Sequence, residues 1–429
     1  MTLSWIQIVR LGLVQLCLGA IVVLMTSTLN RVMVVELALP ALVPGLLVGL
    51  HYGIQITRPT WGFRSDTRGN RTRFVIGGMA VLAAGAVLAA LAVLAIPGAR
   101  VAGLLLSVVA YALIGVGVGA SGTSLLALSA TATAPRRRAA AATITWLLMI
   151  LGIAVTAGVS GQFLDPYSPF RLMAVVATVS LGALVLTVLA SHGIEGRVVA
   201  EREPAPMPFR QGIAEIWGER RTRAFTLFVF LSMVAYFMQE LILEPYAGLV
   251  FGYTPGQSTS LSGAQNGGVF VGMALVGVLA TGFRIGSLRV WVSAGCLGSA
   301  AALAAIIAVG QAGLQLLVPA VVALGFFNGM FAVAAIGSMM ALAGEGRGAR
   351  EGTRMGLWGA AQAVAAGFGG LTGAVLVDLG RTVLPDATAF GLTFAFEAGL
   401  FVIAAAIALR VLQTIPDRRI PSGLAIPGE

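Results

Sequence analysis

The chain contains no lysine and little charge of either sign. Of its 429 residues only 10% are charged, against about 25% in a soluble domain, while 58% are hydrophobic and the mean hydropathy is +0.94. That scarcity excludes a soluble globular protein. Cysteine is almost missing too: Cys17 and Cys296 both fall inside apolar runs, with no spacing that suggests a disulfide framework or a zinc site. Asp-rich metal motifs, nucleotide-binding glycine loops and His/Cys clusters are also lacking, so no catalytic signature stands out. The formal charge of +10 comes from 27 arginines scattered along the chain, which argues against a nucleic-acid patch.

What the sequence does have is repeated apolar runs long enough to cross a bilayer core of about 30 Å, which takes about 20 residues of helix. In lipid only helices or a closed barrel can satisfy the backbone. Barrel strands would alternate over about ten residues, but runs such as Val81 to Ile96 and Leu297 to Val309 are continuous. The expected spans are 11–34, 40–57, 74–96, 101–129, 139–160, 172–190, 224–248, 261–282, 290–309, 315–342, 357–377 and 390–410. Residues 1–10, with Trp5, Ile6 and Val9, are expected to lie along the interface, and the first span reads as a retained signal anchor. With an even number of spans all arginines but Arg31, Arg100, Arg171 and Arg381 fall on one side. By the positive-inside rule that side is cytoplasmic and holds both termini.

The spans repeat in two sets of six. Gly115 and Gly119 of the fourth correspond to Gly325 and Gly329 of the tenth, and Arg138, Trp146, Gly158 and Gly161 of the fifth to Arg350, Trp358, Gly370 and Gly373 of the eleventh. Gly-Phe-Arg recurs at 62–64 and 282–284, and Glu36 and Glu244 end the first and seventh spans. Several matches near one offset indicate duplicated units about an axis along the membrane normal. The expected organisation is therefore a six-helix half over 1–190, a linker over 191–223, a second six-helix half over 224–410 and a tail over 411–429. In the linker Phe209, Ile213, Ile216 and Trp217 share one helical face beside Arg210, Arg220 and Arg221. That pattern suits either a helix on the inner membrane surface or a plain spacer. The 56 glycines include the small-x-x-x-small pairs Gly115/Gly119, Gly268/Gly272 and Gly369/Gly373, which read as packing signals.

Few residues remain that could carry function, because a charge near mid-bilayer costs about 2.5–3.5 kcal/mol on insertion scales and needs a partner or a wet cavity. Asn30, Arg31 and Glu36 end the first span; Gln239, Glu240 and Glu244 end the seventh. Arg31 either pairs with Glu240 or Glu244 across the halves or snorkels to the boundary. His51, followed by Gln55, either ligates the magnesium of a chlorin or is a hydrogen-bonded interior residue. Glu397 and Asp378 are proton or substrate groups, or solvated acids at helix ends.

After the second span, Gly62, Asp66, Gly69 and Arg71 resemble the loop signature of the major facilitator superfamily, although Thr67 and Asn70 stand where that pattern prefers basic residues. A narrower resemblance covers nearly the whole chain. Thr28–Leu37, Phe230–Tyr236, Leu241–Gly252, Thr254–Gly256 and Leu261–Gly268 resemble the PucC/LhaA, or bacteriochlorophyll delivery, family. His51–Gln55 and Arg58–Asp66 are similar to its branch labelled bacteriochlorophyll synthase chain. The resemblance implies an all-α polytopic membrane protein with the major facilitator fold, its twelve transmembrane helices arranged as two six-helix halves. It also implies a phototrophic bacterium's inner membrane, bacteriochlorophyll as bound cargo, and light-harvesting alpha and beta polypeptides or bacteriochlorophyll synthase as partners. Two classes stay open: a non-catalytic pigment-binding assembly factor, or a proton-coupled secondary transporter; the branch label adds an accessory role in pigment synthesis.

Overall fold

A computed structural model describes residues 3–58, 61, 70–134, 137–195, 220–283, 285–343 and 351–412. Eleven helices there are long and apolar enough to cross a membrane, and the shorter Leu42–Thr57 makes a twelfth. In chain order they are α1 (Trp5–Val23, continuing to Glu36), α2 (Leu42–Ile54), α3 (Arg71–Ala95), α4 (Arg100–Ala132), α5 (Arg138–Leu164), α6 (Pro169–Ser191), α7 (Arg220–Phe251), α8 (Pro255–Val276), α9 (Leu288–Ala312), α10 (Leu317–Ala343), α11 (Glu351–Arg381) and α12 (Asp386–Val411). The start of α1 and the end of α12 share one face of the bundle, the terminal face; the α1–α2, α5–α6, α7–α8 and α11–α12 turns share the other, the distal face.

Local chemistry places the ends. Ser4 and Gln7 form a capping box at α1, satisfying backbone donors that a helix start leaves open. The first ten residues are thus mostly helix rather than a separate interfacial segment: Trp5 and Ile6 face outward, and Arg137 lies over the Trp5 ring at 5.1 Å. Thr254 and Gln257 make the same box at α8, with Pro255 in the first turn. The eighth span therefore begins six residues before its expected start at 261. The serines and threonines at 258–262 depress hydropathy there, but most of them point inward and are buried. Most of the linker, with the Phe209–Trp217 face, lies outside the described residues; its last four residues, from Arg220, belong to α7.

Helix pairing repeats when six is added to each number. The contacts α1–α5, α1–α6, α2–α4, α3–α4 and α3–α6 recur as α7–α11, α7–α12, α8–α10, α9–α10 and α9–α12. Each half has its own apolar core, one running from Leu3 to Ile194 and taking in Leu241 of α7, the other from Phe225 to Leu412. The halves meet along two seams, α5 on α8 and α2 on α11. The three small-residue pairs pack helices as their spacing implies: a side chain on Gly115 would meet the His51 carbonyl, and on Gly272 the Phe326 carbonyl.

Candidate functional site

The last third of α1 is wound as π-helix, over Leu24–Leu29 and Val32–Glu36, a form that recurs at functional sites. Its wider turn brings residues five apart onto one face, and Arg31 accordingly forms an ion pair with Glu36 of its own helix. The expected partners Glu240 and Glu244 are not in that pair. The second guanidinium nitrogen donates to the Tyr253 carbonyl of the other half at 2.6 Å, so Arg31 still crosses the interface, through a backbone acceptor.

Asn30 is explained by a proline. Pro245 stands inside α7, where its missing N–H leaves the carbonyl four residues earlier without a helical donor. That carbonyl belongs to Leu241, and the Asn30 side-chain amide donates to it at 2.6 Å across the half interface.

Beside this contact lies a buried layer of hydroxyls. Thr28 and Thr259 share a hydrogen bond of 3.0 Å, and Ser262 donates to the Glu244 carboxylate at 2.6 Å while lying 3.4 Å from the Ser27 oxygen. One turn toward the terminal face, Glu240 meets the Tyr52 hydroxyl at 3.4 Å, and Thr26 also reaches its carboxyl. Glu240, Tyr52 and Tyr236 are half-buried. Phe237 packs edge-on to Tyr52 and Tyr236 with ring centroids 5.6 and 5.2 Å away.

His51 stands beside Tyr52 but is closed in, with 2% of its surface exposed. Arg58 donates to the Gln55 side-chain oxygen, and the Gln55 amide lies 2.9 Å from His51 Nε2. This network makes Nε2 an acceptor and leaves the ring proton on Nδ1. Neither nitrogen then offers a free lone pair to a magnesium ion unless Gln55 moves away.

Among the other candidates, Gln239 is buried with its side-chain oxygen unpartnered among the described residues. Glu397 is fully buried in α12 with both oxygens unpartnered there, and α12 packs on α7, α9 and α11 of its own half. Of the loop signature, Gly62, Asp66 and Gly69 lie outside the described residues. Arg71 begins α3, where its backbone N–H and that of Thr72 donate to the Glu195 carboxylate at 2.6 and 2.7 Å.

Two further carboxylates work the same way at the distal ends of the seams. Asp165 accepts from the Thr254 hydroxyl at 2.6 Å and the Gly256 N–H at 3.2 Å, capping α8. Asp378 accepts from the Ala41 and Leu42 N–H groups at 2.9 and 2.7 Å, capping α2. The two positions are 213 residues apart and related by the repeat, and each acid ends a helix of one half while holding a helix start of the other. Such a carboxylate satisfies open backbone donors and complements the positive end of the helix dipole.

A different feature faces outward. Between α8 and α10 runs an apolar groove of about 620 Å³, floored by Gly267, Gly268 and Ala323 and walled by Val271, Phe326 and Phe327.

Two pseudo-symmetric six-helix halves with polar groups gathered at their interface make up the major facilitator fold. The solved structures agree: a bacterial homolog of the human lysosomal transporter Spinster, inward-facing and unoccupied, superposes with a TM-score of 0.70 at 14% identity, over 96% of this chain and 97% of that one. The family model described as PUCC protein matches residues 28–415, and the chain belongs to that family. The "Bacteriochlorophyll synthase 44.5 kDa chain" of Rhodobacter capsulatus is 67% identical, over 99% of this chain and 100% of that one. "Protein PucC" of the same organism is 28% identical, over 95% and 92% respectively.

Proposed function

We propose that this protein binds bacteriochlorophyll within the inner photosynthetic membrane of a bacterium and hands it on during assembly of light-harvesting antennae. The observation that carries the reading is full-length kinship with a chain named for bacteriochlorophyll synthase, inside the PucC family. Antenna alpha and beta polypeptides and the pigment-attaching synthase are the partners such a role requires. The arginine asymmetry supports a topology with both termini in the cytoplasm.

The groove between α8 and α10 suits this cargo. A chlorin is a flat, largely apolar ring with a long hydrocarbon tail, and it partitions into lipid. A glycine floor lets the ring lie close to the backbone, and Phe326 and Phe327, 5.4 Å apart and edge-to-face, offer aromatic surface beside it. Opening sideways to lipid, the groove needs no aqueous route for loading. His51 takes no part in this reading, since its Nε2 is engaged by Gln55.

Absorption of the detergent-purified protein from a phototrophic host tests the proposal. A bound near-infrared pigment is expected, and Gly267→Leu should remove it, because a Cβ there meets no atom within 4 Å and the longer side chain projects into the groove. Colourless wild-type protein would overturn the assignment.

One observation favours a second reading, transport by alternating access. The internal group at Glu240 and Tyr52 lies between the halves, where such proteins bind substrate, and the polar contacts closing the distal side lie just beyond it. Substrate-dependent proton uptake in vesicles by colourless protein would select this reading.

A further inference from the structure

The hydroxyl layer at Glu244 does more than bridge the halves. Its carboxylate is 1% exposed; one oxygen accepts from Ser262, and the other, Oε2, has no hydrogen-bond partner among the described residues. Oxygens converge on it from two further places: Ser27 of α1, 3.4 Å from Ser262, and Ser258, one turn before Ser262 on the same face of α8. Ser27 is 5% exposed, Ser258 0% and Ser262 4%.

Among the described residues, this cluster is short of a positive partner. The nearby guanidinium, Arg31, already pairs with Glu36. Glu240, four residues before Glu244, places a second carboxyl on the same face of α7, a spacing at which like charges repel. The remaining neighbours, Thr28 and Thr259, are neutral and bonded to each other. Among the described residues, the guanidinium acting on Glu244 is thus already committed to Glu36.

We infer that Glu244, Ser27, Ser258 and Ser262 form a binding site for a small monovalent cation of the sodium type. The donor set consists of oxygen alone, without nitrogen or sulfur, which selects a hard ion. One carboxylate with three neutral hydroxyls balances a single positive charge, whereas calcium sites gather more carboxylates and waters. Serine hydroxyls can turn from donating to the carboxylate to presenting lone pairs, so the ion enters without moving the helices. Because Ser27 belongs to the first half and the other three residues to the second, a bound ion ties the halves together on the distal side. The site goes beyond pigment handling and stands whether or not the groove carries pigment.

Thermal unfolding of the full-length protein in detergent tests this, in sodium chloride against N-methylglucamine chloride at equal ionic strength and at neutral and mildly acidic pH. Sodium is expected to raise Tm, saturating with concentration. Glu244→Gln and Ser262→Ala should lose that response, while Ser107→Ala, whose hydroxyl bonds only within α4, should keep it. Equilibrium binding of radioactive sodium to the wild-type protein, expected near one ion per chain, reads the site without relying on any variant to fold. Absent sodium binding, together with a Tm that follows pH alone, would overturn the proposal in favour of a protonated carboxyl.

Discussion

The two seams between the halves begin alike and then diverge. At the distal end each is held by an aspartate of one half on a helix start of the other, Asp165 on α8 and Asp378 on α2. Farther along, α5 and α8 stay in backbone contact: a Cβ on Gly263 would lie 2.5 Å from the Gly158 nitrogen and 3.0 Å from the Ala154 carbonyl. Beyond that crossing, Ile150, Val269 and Met273 continue the seal. Along α2 and α11 the approach is looser: a Cβ on Gly45 would meet Ala374 at 3.0 Å, and one on Gly367 would meet the Tyr52 side chain at 3.5 Å and the Gly49 carbonyl at 3.8 Å, while Gly49 and Gly53 themselves have nothing within 4 Å. The described part of the α2 span, Leu42–Thr57, is also shorter than the eleven other spans. One seam is therefore in tight backbone contact through mid-membrane, and the other is in ordinary van der Waals contact beside Tyr52. That difference makes the α5–α8 side the tighter edge of the interface and the α2–α11 side the looser one.

Valine substitutions test this contrast most sharply. Gly263→Val drives two methyl groups into the α5 backbone, where no side chain can yield, and overpacking of this kind costs about 1–3 kcal/mol or more. The folded fraction in fluorescence-detected size exclusion should fall steeply. Gly49→Val, at the corresponding depth of the other seam, should leave it near wild type. Equal losses from both would mean that the seams do not differ.

Next in size is Asn30→Ala. It strands the Leu241 carbonyl that Pro245 has already deprived of a helical donor, and an unsatisfied buried polar group costs about 1–3 kcal/mol. Adding Pro245→Ala should recover most of the loss, since α7 can then bond the carbonyl itself; a double mutant no more stable than Asn30→Ala would break the link. Smaller effects follow from the caps. Asp165→Ala and Asp378→Ala should each cost about 0.5–2 kcal/mol, seen as lower Tm. Both should also speed maleimide labelling of a cysteine placed at buried Thr28, because the distal side opens more often. Unchanged labelling in the double variant would show that these acids only finish helices.

The helices were legible in the sequence because span length and hydropathy are local properties, and the duplication was legible because glycine spacing survives in both halves. The groups at the interface were partly legible. Arg31, Glu240 and Glu244 stood out as charges in apolar runs, but their partners did not. Arg31 meets Glu36 only because α1 is π-wound there, and nothing in the order Arg-Val-Met-Val-Val-Glu announces that. Ser27, Ser262, Thr259 and Tyr52 carry no charge to mark them. Nothing local marks Asp165, since the helix it caps begins 89 residues later, in the Thr254 turn. Pro245 was the one local clue to a freed carbonyl, and the donor that meets it lies 211 residues before Leu241.

His51 carries the smallest expected effect, and a decisive one for the choice of pigment site. If the chlorin lies in the α8–α10 groove, His51→Gln should leave the near-infrared band of the purified protein in place, whereas Gly267→Leu removes it. Glutamine keeps a hydrogen-bonding group near Gln55, so the chain from Arg58 through Gln55 should persist and stability should change little. If instead the histidine were a magnesium ligand, it would first have to give up Gln55, and losing it would shift or abolish the band while Gly267→Leu left the band intact. The two substitutions therefore place the pigment in the α8–α10 groove or beside buried His51 of α2, according to which of them the spectrum follows.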